Sequence, residues 1–103
     1  RTMWIPVARA DAIPVGDYAQ ADVDGVIVAV FNVGGDFYAV EDQCTHDGGG
    51  LAGGTIDRCE VICPRHGARF SLKTGAALTP PAYEPIRIFE VRECDGQIEV
   101  RKS

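Results

Sequence analysis

Two short motifs restrict this chain more than anything else in it: Cys44-Thr45-His46 and Cys63-Pro64-Arg65-His66. Each supplies one thiol and one imidazole, and both histidines of the chain fall inside them. A fold that uses all four donors must hold two loops side by side around one metal centre. Four donors of two kinds, one of each kind per loop, suit a two-iron, two-sulfur cluster with chemically different irons. Cys44 and Cys63 would then hold one iron, and His46 and His66 the other. Mononuclear zinc also accepts two Cys and two His. Its usual spacing, however, leaves two or more residues within the first pair, where this chain has only Thr45, and zinc fingers tend to join a Cys-Cys loop to a His-His helix. The plainest alternative makes each cysteine a small buried hydrophobe and the histidines coincidental.

The rest of the chain reads as short strands broken by turns, and no stretch keeps a helical period. Thr2–Val7 is an expected first strand. Tyr18–Val23 and Gly25–Val33 flank Asp24-Gly25, a strong hairpin signal, and Gly34-Gly35 leads into Phe37–Val40. A loop follows over Asp42–Gly54, in which five of the eight residues from Asp47 to Gly54 are glycine. Such a segment disfavours helix and allows close approach to a bulky inorganic group. Glu60–Ile62 leads into the second motif, Ala68–Leu72 leads out of it, and Lys73-Thr74-Gly75 reads as a turn. Ile86–Arg92 and Gln97–Val100 form an expected hairpin around Asp95-Gly96. Its first strand changes phase, with Ile86 and Ile88 on one face and Phe89 and Val91 on the other. Either a bulge lies between Ile88 and Phe89, or both sheet faces are covered there. The expected class is all-β, one domain over residues 1–103, with cluster-binding loops at about 42–54 and 63–70.

Ten basic and fifteen acidic side chains give a formal net charge of -5. Positive charge is nowhere concentrated, which argues against nucleic-acid binding. The acidic balance serves solubility, or meets a basic patch on a partner protein. The longest apolar run, Val26–Phe31, is far short of the roughly 20 residues that span a membrane. No signal peptide is visible. Arg1 ahead of Met3 suggests a processed chain or residues appended before Met3, and a cytoplasmic location is the simplest expectation. Cys59 and Cys94 lie outside the motifs. Buried apolar roles are expected for both, and a disulfide between them is disfavoured in a cytoplasmic protein. Gly67 allows the backbone after His66 to come close to a metal centre. Arg65 is expected to project to solvent, and Leu51 with Pro80-Pro81 either rims the site or packs the loops.

On the segments Cys44-Thr45-His46 and Cys63-Pro64-Arg65-His66-Gly67-Ala68-Arg69-Phe70, the chain resembles Rieske-type ferredoxins, the small electron carriers of bacterial aromatic-ring dioxygenase systems. The lead-in Phe37–Gln43, Lys73-Thr74-Gly75 and the proline-containing segment after it extend the likeness over nearly the whole chain. The resemblance implies stacked antiparallel sheets with a small cluster-binding subdomain and one [2Fe-2S] cluster. It places Cys44 and Cys63 on the buried iron, and His46 and His66 on the exposed iron through Nδ1. It puts the Pro80-Pro81 segment against another side of the cluster.

It further implies a monomeric carrier without catalytic residues of its own. Such a carrier takes electrons from a flavoprotein ferredoxin reductase and passes them to a terminal ring-hydroxylating oxygenase, by transient docking near His46 and His66. A stably held small subunit, such as that of a nitrite reductase, is the alternative. Respiratory relatives join their ligand loops by a disulfide at the positions of Gly49 and Arg65, and place hydroxyl-bearing residues where this chain has Ala68 and Phe70. Without those donors to the cluster sulfurs, reduction is less favourable. The midpoint should fall toward the lower end of the roughly -150 to +300 mV Rieske range.

Overall fold

Strand β3 (Val26–Val33) organises the molecule, because both of its faces are covered. Val28 and Val30 point into one apolar cluster with Ile13, Val23, Ala39, Phe89, Ile98 and Val100. Ala29 and Phe31 point into another, with Val40, Leu51, Val61, Phe70 and the two motif cysteines. Two buried faces explain why the sequence here runs continuously apolar instead of alternating. The computed structural model describes residues 3–44, 49–80 and 82–102, without the side chain of Lys102.

The remaining strands are β1 (Ile5–Arg9), β2 (Tyr18–Val23), β4 (Asp36–Glu41), β5 (Thr55–Asp57), β6 (Glu60–Ile62), β7 (Arg69–Ser71), β8 (Ile88–Cys94) and β9 (Gln97–Lys102). Five of them join β3 in one antiparallel sheet of order β1-β9-β8-β4-β3-β2, and β5-β6-β7 form a small second sheet. The outer strands β1 and β2 lie against one another, so the large sheet folds over and its two halves face across the first cluster. These halves are the stacked layers expected of the base. Pro6, which has no N–H to give, sits in outer strand β1, where the pairing with β9 shifts register between Pro6 and Ala8.

Three tight hairpins match the turn signals. Asp24 and Gly25 have φ of 54° and 85°, Gly34 and Gly35 of 63° and 99°, and Asp95 and Gly96 of 53° and 78°. Positive φ at both turn positions gives the turn a twist matching that of the flanking strands. Strand β8 begins at Ile88, two residues later than expected, and its pairing with β9 runs in continuous register from Phe89 to Cys94. Of the two readings of its phase change, coverage of both faces is correct. Ile88 packs on the cluster that holds the motif cysteines and Phe89 on the other.

Two features lie outside the sequence expectations. A short 3-10 turn, Ala10–Ala12, follows β1. Strand β5 lies in what reads as irregular chain after the glycine-rich loop. It joins β6 through Arg58 and Cys59, both at positive φ (53° and 62°) without glycine or asparagine. Cys94 also departs from expectation, being exposed.

Candidate metal centre

The first loop is closed by one carboxylate. Asp42 leaves the end of β4 and its Oδ1 accepts the backbone N–H groups of Leu51 (2.5 Å) and Ala52 (2.8 Å). Its Oδ2 accepts from the Gln20 amide (2.5 Å), and its own N–H donates to the Ile27 carbonyl (2.8 Å). Inside this closure the Cys44 N–H donates to the Gly49 carbonyl at 2.6 Å. Leu51, fully buried, anchors the returning limb. It therefore packs the loop and does not form an exposed rim.

The second loop closes on itself. The Cys63 N–H donates to Ala68 O (2.7 Å), and the Gly67 N–H donates back to Cys63 O (3.0 Å). Gly67 has φ of 75°, which a side-chain-bearing residue adopts only under strain. The strands beneath are β6 and β7, paired Val61 to Phe70 and Ile62 to Arg69. Arg69 ties the base of the loop to the β5-β6 hairpin. Its Nη1 donates to Asp57 and to Glu60, both at 3.1 Å, and these bonds push the guanidinium pKa further up.

The proline-containing segment runs along β7. Leu78 N–H donates to Arg69 O (2.8 Å), Arg69 N–H donates to Thr79 Oγ1 (3.0 Å), and Ala82 is buried in the same cluster as the cysteines. Pro80 is exposed. Leu78 and Tyr83, 46% and 81% exposed, are the large apolar side chains this segment offers to solvent. The exposure of Tyr83 has no local sequence signal.

Cys44 and Cys63, neither in a disulfide, are 0% and 1% exposed and packed in one cluster with Leu51, Ala68 and Phe70. His66 stands on the exposed tip of its loop. His46 and Thr45 lie outside the described residues, as does Pro81. The site therefore has soft sulfur donors inside and an imidazole outside. This polarity fits a [2Fe-2S] group with one buried and one surface iron. Among the described residues, no group of three His, Cys, Asp or Glu side chains is gathered closely enough to hold one metal ion.

Arg65 differs from expectation. Although exposed, its guanidinium reaches back over the first loop, where Nη1 donates to the Gly50 carbonyl at 3.0 Å. Cys59 joins the cluster from its strained turn. Its carbonyl accepts from Leu72 N–H (3.0 Å), and hydrogen bonding with its side chain acts on the Tyr38 phenol. That bond first, then burial and the nearby Cys59 and Asp36 charges, raises the phenol's pKa.

A model of the Rieske [2Fe-2S] domain matches residues 3–90. The chain belongs to the Rieske [2Fe-2S] domain family. One [2Fe-2S] cluster is accordingly its cofactor, in place of mononuclear zinc. Among curated proteins it is 42% identical over 87 residues to the 3-phenylpropionate/cinnamic acid dioxygenase ferredoxin subunit of Escherichia coli (strain K12), covering 84% of this chain and 81% of that protein. Among solved structures it superposes on the ferredoxin of carbazole 1,9a-dioxygenase from Nocardioides aromaticivorans IC177 with a TM-score of 0.92 and 31% identity, covering 98% and 99% of the two chains. It also matches a chain in the complex of reduced oxygenase and oxidized ferredoxin of carbazole 1,9a-dioxygenase, with a TM-score of 0.87, 36% identity and coverage of 94% and 91%. Among the described residues, no helix of this Rieske protein is long and apolar enough to cross a membrane.

Proposed function

We propose that this chain is a one-electron carrier that takes electrons from a flavoprotein reductase and delivers them to a terminal ring-hydroxylating oxygenase. Cys44 and Cys63 hold the inner iron, and His46 and His66 the outer one. The whole chain acts as a single cytoplasmic domain and a monomer. The observation that carries the reading is the polarity of the loops: thiols buried to 0% and 1%, with His66 exposed at a loop tip. The cluster, when bound, supplies a store for one electron.

This chain's own residues do the rest. The buried thiols keep water from the inner side. His66 presents an imidazole edge where a partner can touch it, and as an iron ligand it does not serve as a general base. Leu78, Pro80 and Tyr83 offer an apolar margin of the kind a transient partner covers. The acidic net charge of -5 favours a partner with a basic face, with an attraction that weakens as salt rises. Ala68 and Phe70, both fully buried beside Cys63, bring no hydroxyl to the site. That supports a midpoint toward the low end of the roughly -150 to +300 mV Rieske range.

The test is rapid mixing of the reduced protein with the oxidised terminal oxygenase of an aromatic-ring dioxygenase. Fast, salt-sensitive reoxidation without lasting association is expected. Persistent co-purification with a large catalytic subunit, as for a nitrite-reductase small subunit, would replace the carrier reading.

A further inference from the structure

One side chain reaches from the second ligand loop to the first. The Arg65 guanidinium, from the second loop, donates through Nη1 to the Gly50 carbonyl of the first at 3.0 Å. It also lies directly on Gly49: a Cβ built there would sit 2.6 Å from Cζ and Nη2 and 2.9 Å from Nε. Contacts that close leave no room for a methyl group, so the flat face of the guanidinium rests on bare backbone. The same Gly49 accepts the Cys44 N–H through its carbonyl. A continuous path therefore runs from Arg65 to Gly49 to Cys44, while Arg65 itself lies between Cys63 and His66 in sequence.

We propose that Arg65 is a positioning residue. It clasps the second ligand loop to the first and places a fixed positive charge beside the centre. The inference rests on the cluster assignment above. A planar group with several donors can stack on backbone and bond a carbonyl at once, which a single ammonium does less well. Gly49 is the matching half of the clasp. A positive charge close to a centre that gains an electron favours the reduced state.

Four variants of the holoprotein separate the parts: Arg65→Ala, Arg65→Lys, Gly49→Ala and the double Arg65→Ala/Gly49→Ala. Two quantities are read, the midpoint potential and the half-life of cluster absorbance under a chelator. Arg65→Ala should shorten the half-life roughly tenfold, equivalent to about 1.4 kcal/mol. It should lower the equilibrium constant for reduction by about threefold, or roughly 30 mV at 59 mV per tenfold for one electron. Arg65→Lys should keep the wild-type midpoint while losing cluster faster than wild type. Gly49→Ala should also shorten the half-life, because its methyl evicts the guanidinium. The same methyl added to Arg65→Ala should change nothing further, since its target is gone.

Additive losses from Gly49→Ala and Arg65→Ala would overturn the clasp. A midpoint unchanged in Arg65→Ala would overturn the charge placement. Wild-type protein without two irons and two sulfides would instead fail the underlying cluster assignment, independently of either result.

Discussion

Asp42 decides whether the first ligand loop holds its shape. One of its oxygens, Oδ1, accepts both the Leu51 and the Ala52 N–H groups, closing the chain across the loop that contains Cys44. Removing the side chain in Asp42→Ala strands both donors, one of them on the fully buried Leu51. Hydrogen bonds to an ionised acceptor contribute about 1.5–3 kcal/mol each. Asp42 is half-buried, so the low end applies, and the pair comes to about 3 kcal/mol. At about 4 °C per kcal/mol for a domain of this size, Tm should fall by about 12 °C. Asp42→Asn is the informative control. Its carbonyl oxygen can take the place of Oδ1 and keep both backbone bonds, while the charge is lost. Charge-assisted bonds are roughly twice as strong as neutral ones, so about half of the loss, near 6 °C, should remain. Thermal unfolding of the holoprotein, followed together by far-UV circular dichroism and by visible cluster absorbance, measures both. Equal losses in the two variants, or an unchanged Tm in Asp42→Ala, would refute the clamp.

Three further outcomes are expected. Gly54→Ala drives a methyl into the Ile62 carbonyl, the residue before Cys63, and within 3.0 Å of Leu51 O. It should cost about 3 kcal/mol, read as a lower guanidinium midpoint with faster cluster loss. Arg58→Asn should be mildly stabilising in the same assay, recovering about half of the roughly 1 kcal/mol left-handed cost at an exposed position with φ of 53°. The third concerns alkaline stability. Because the Cys59 hydrogen bond raises the Tyr38 phenol above its ordinary 10.0, folding binds that proton more tightly. The stability it contributes is whole below pH 10.0 and is lost as pH climbs through the raised value. Tyr38→Phe should therefore flatten the alkaline limb of the stability curve, and an unchanged slope would count against the bond.

Hairpins were legible where turn geometry forces residue choice. Asp24-Gly25, Gly34-Gly35 and Asp95-Gly96 all need positive φ, and the sequence supplies residues that tolerate it. The β5-β6 hairpin escaped notice because Arg58 and Cys59 take the same conformation without such a residue. A tertiary bond from Leu72 N–H to Cys59 O holds the turn from a distance that no local pattern announces. The continuous run Val26–Phe31 was visible as apolar. That its two faces serve two different clusters follows only from the folded-over sheet. The sulfur and nitrogen donors stood out because rare residue types recur at short spacing. Their supports did not. Asp42 bonds residues nine and ten positions away, and Arg65 one fifteen away, and no local period announces such pairings. The same gap separates Leu51 as a buried anchor from the rim position its sequence context also allowed, and leaves the exposed Leu78 and Tyr83 to be found only in the fold.

The account stands or falls on the character of the metal centre. Natively purified protein should be assayed for iron and acid-labile sulfide, with electron paramagnetic resonance of the dithionite-reduced sample. Two irons and two sulfides per chain are predicted, with an average g below that of an all-thiolate [2Fe-2S] cluster and with nitrogen coupling from the imidazole ligands. One tightly held zinc with no sulfide, or a two-iron cluster without nitrogen coupling, would contradict it.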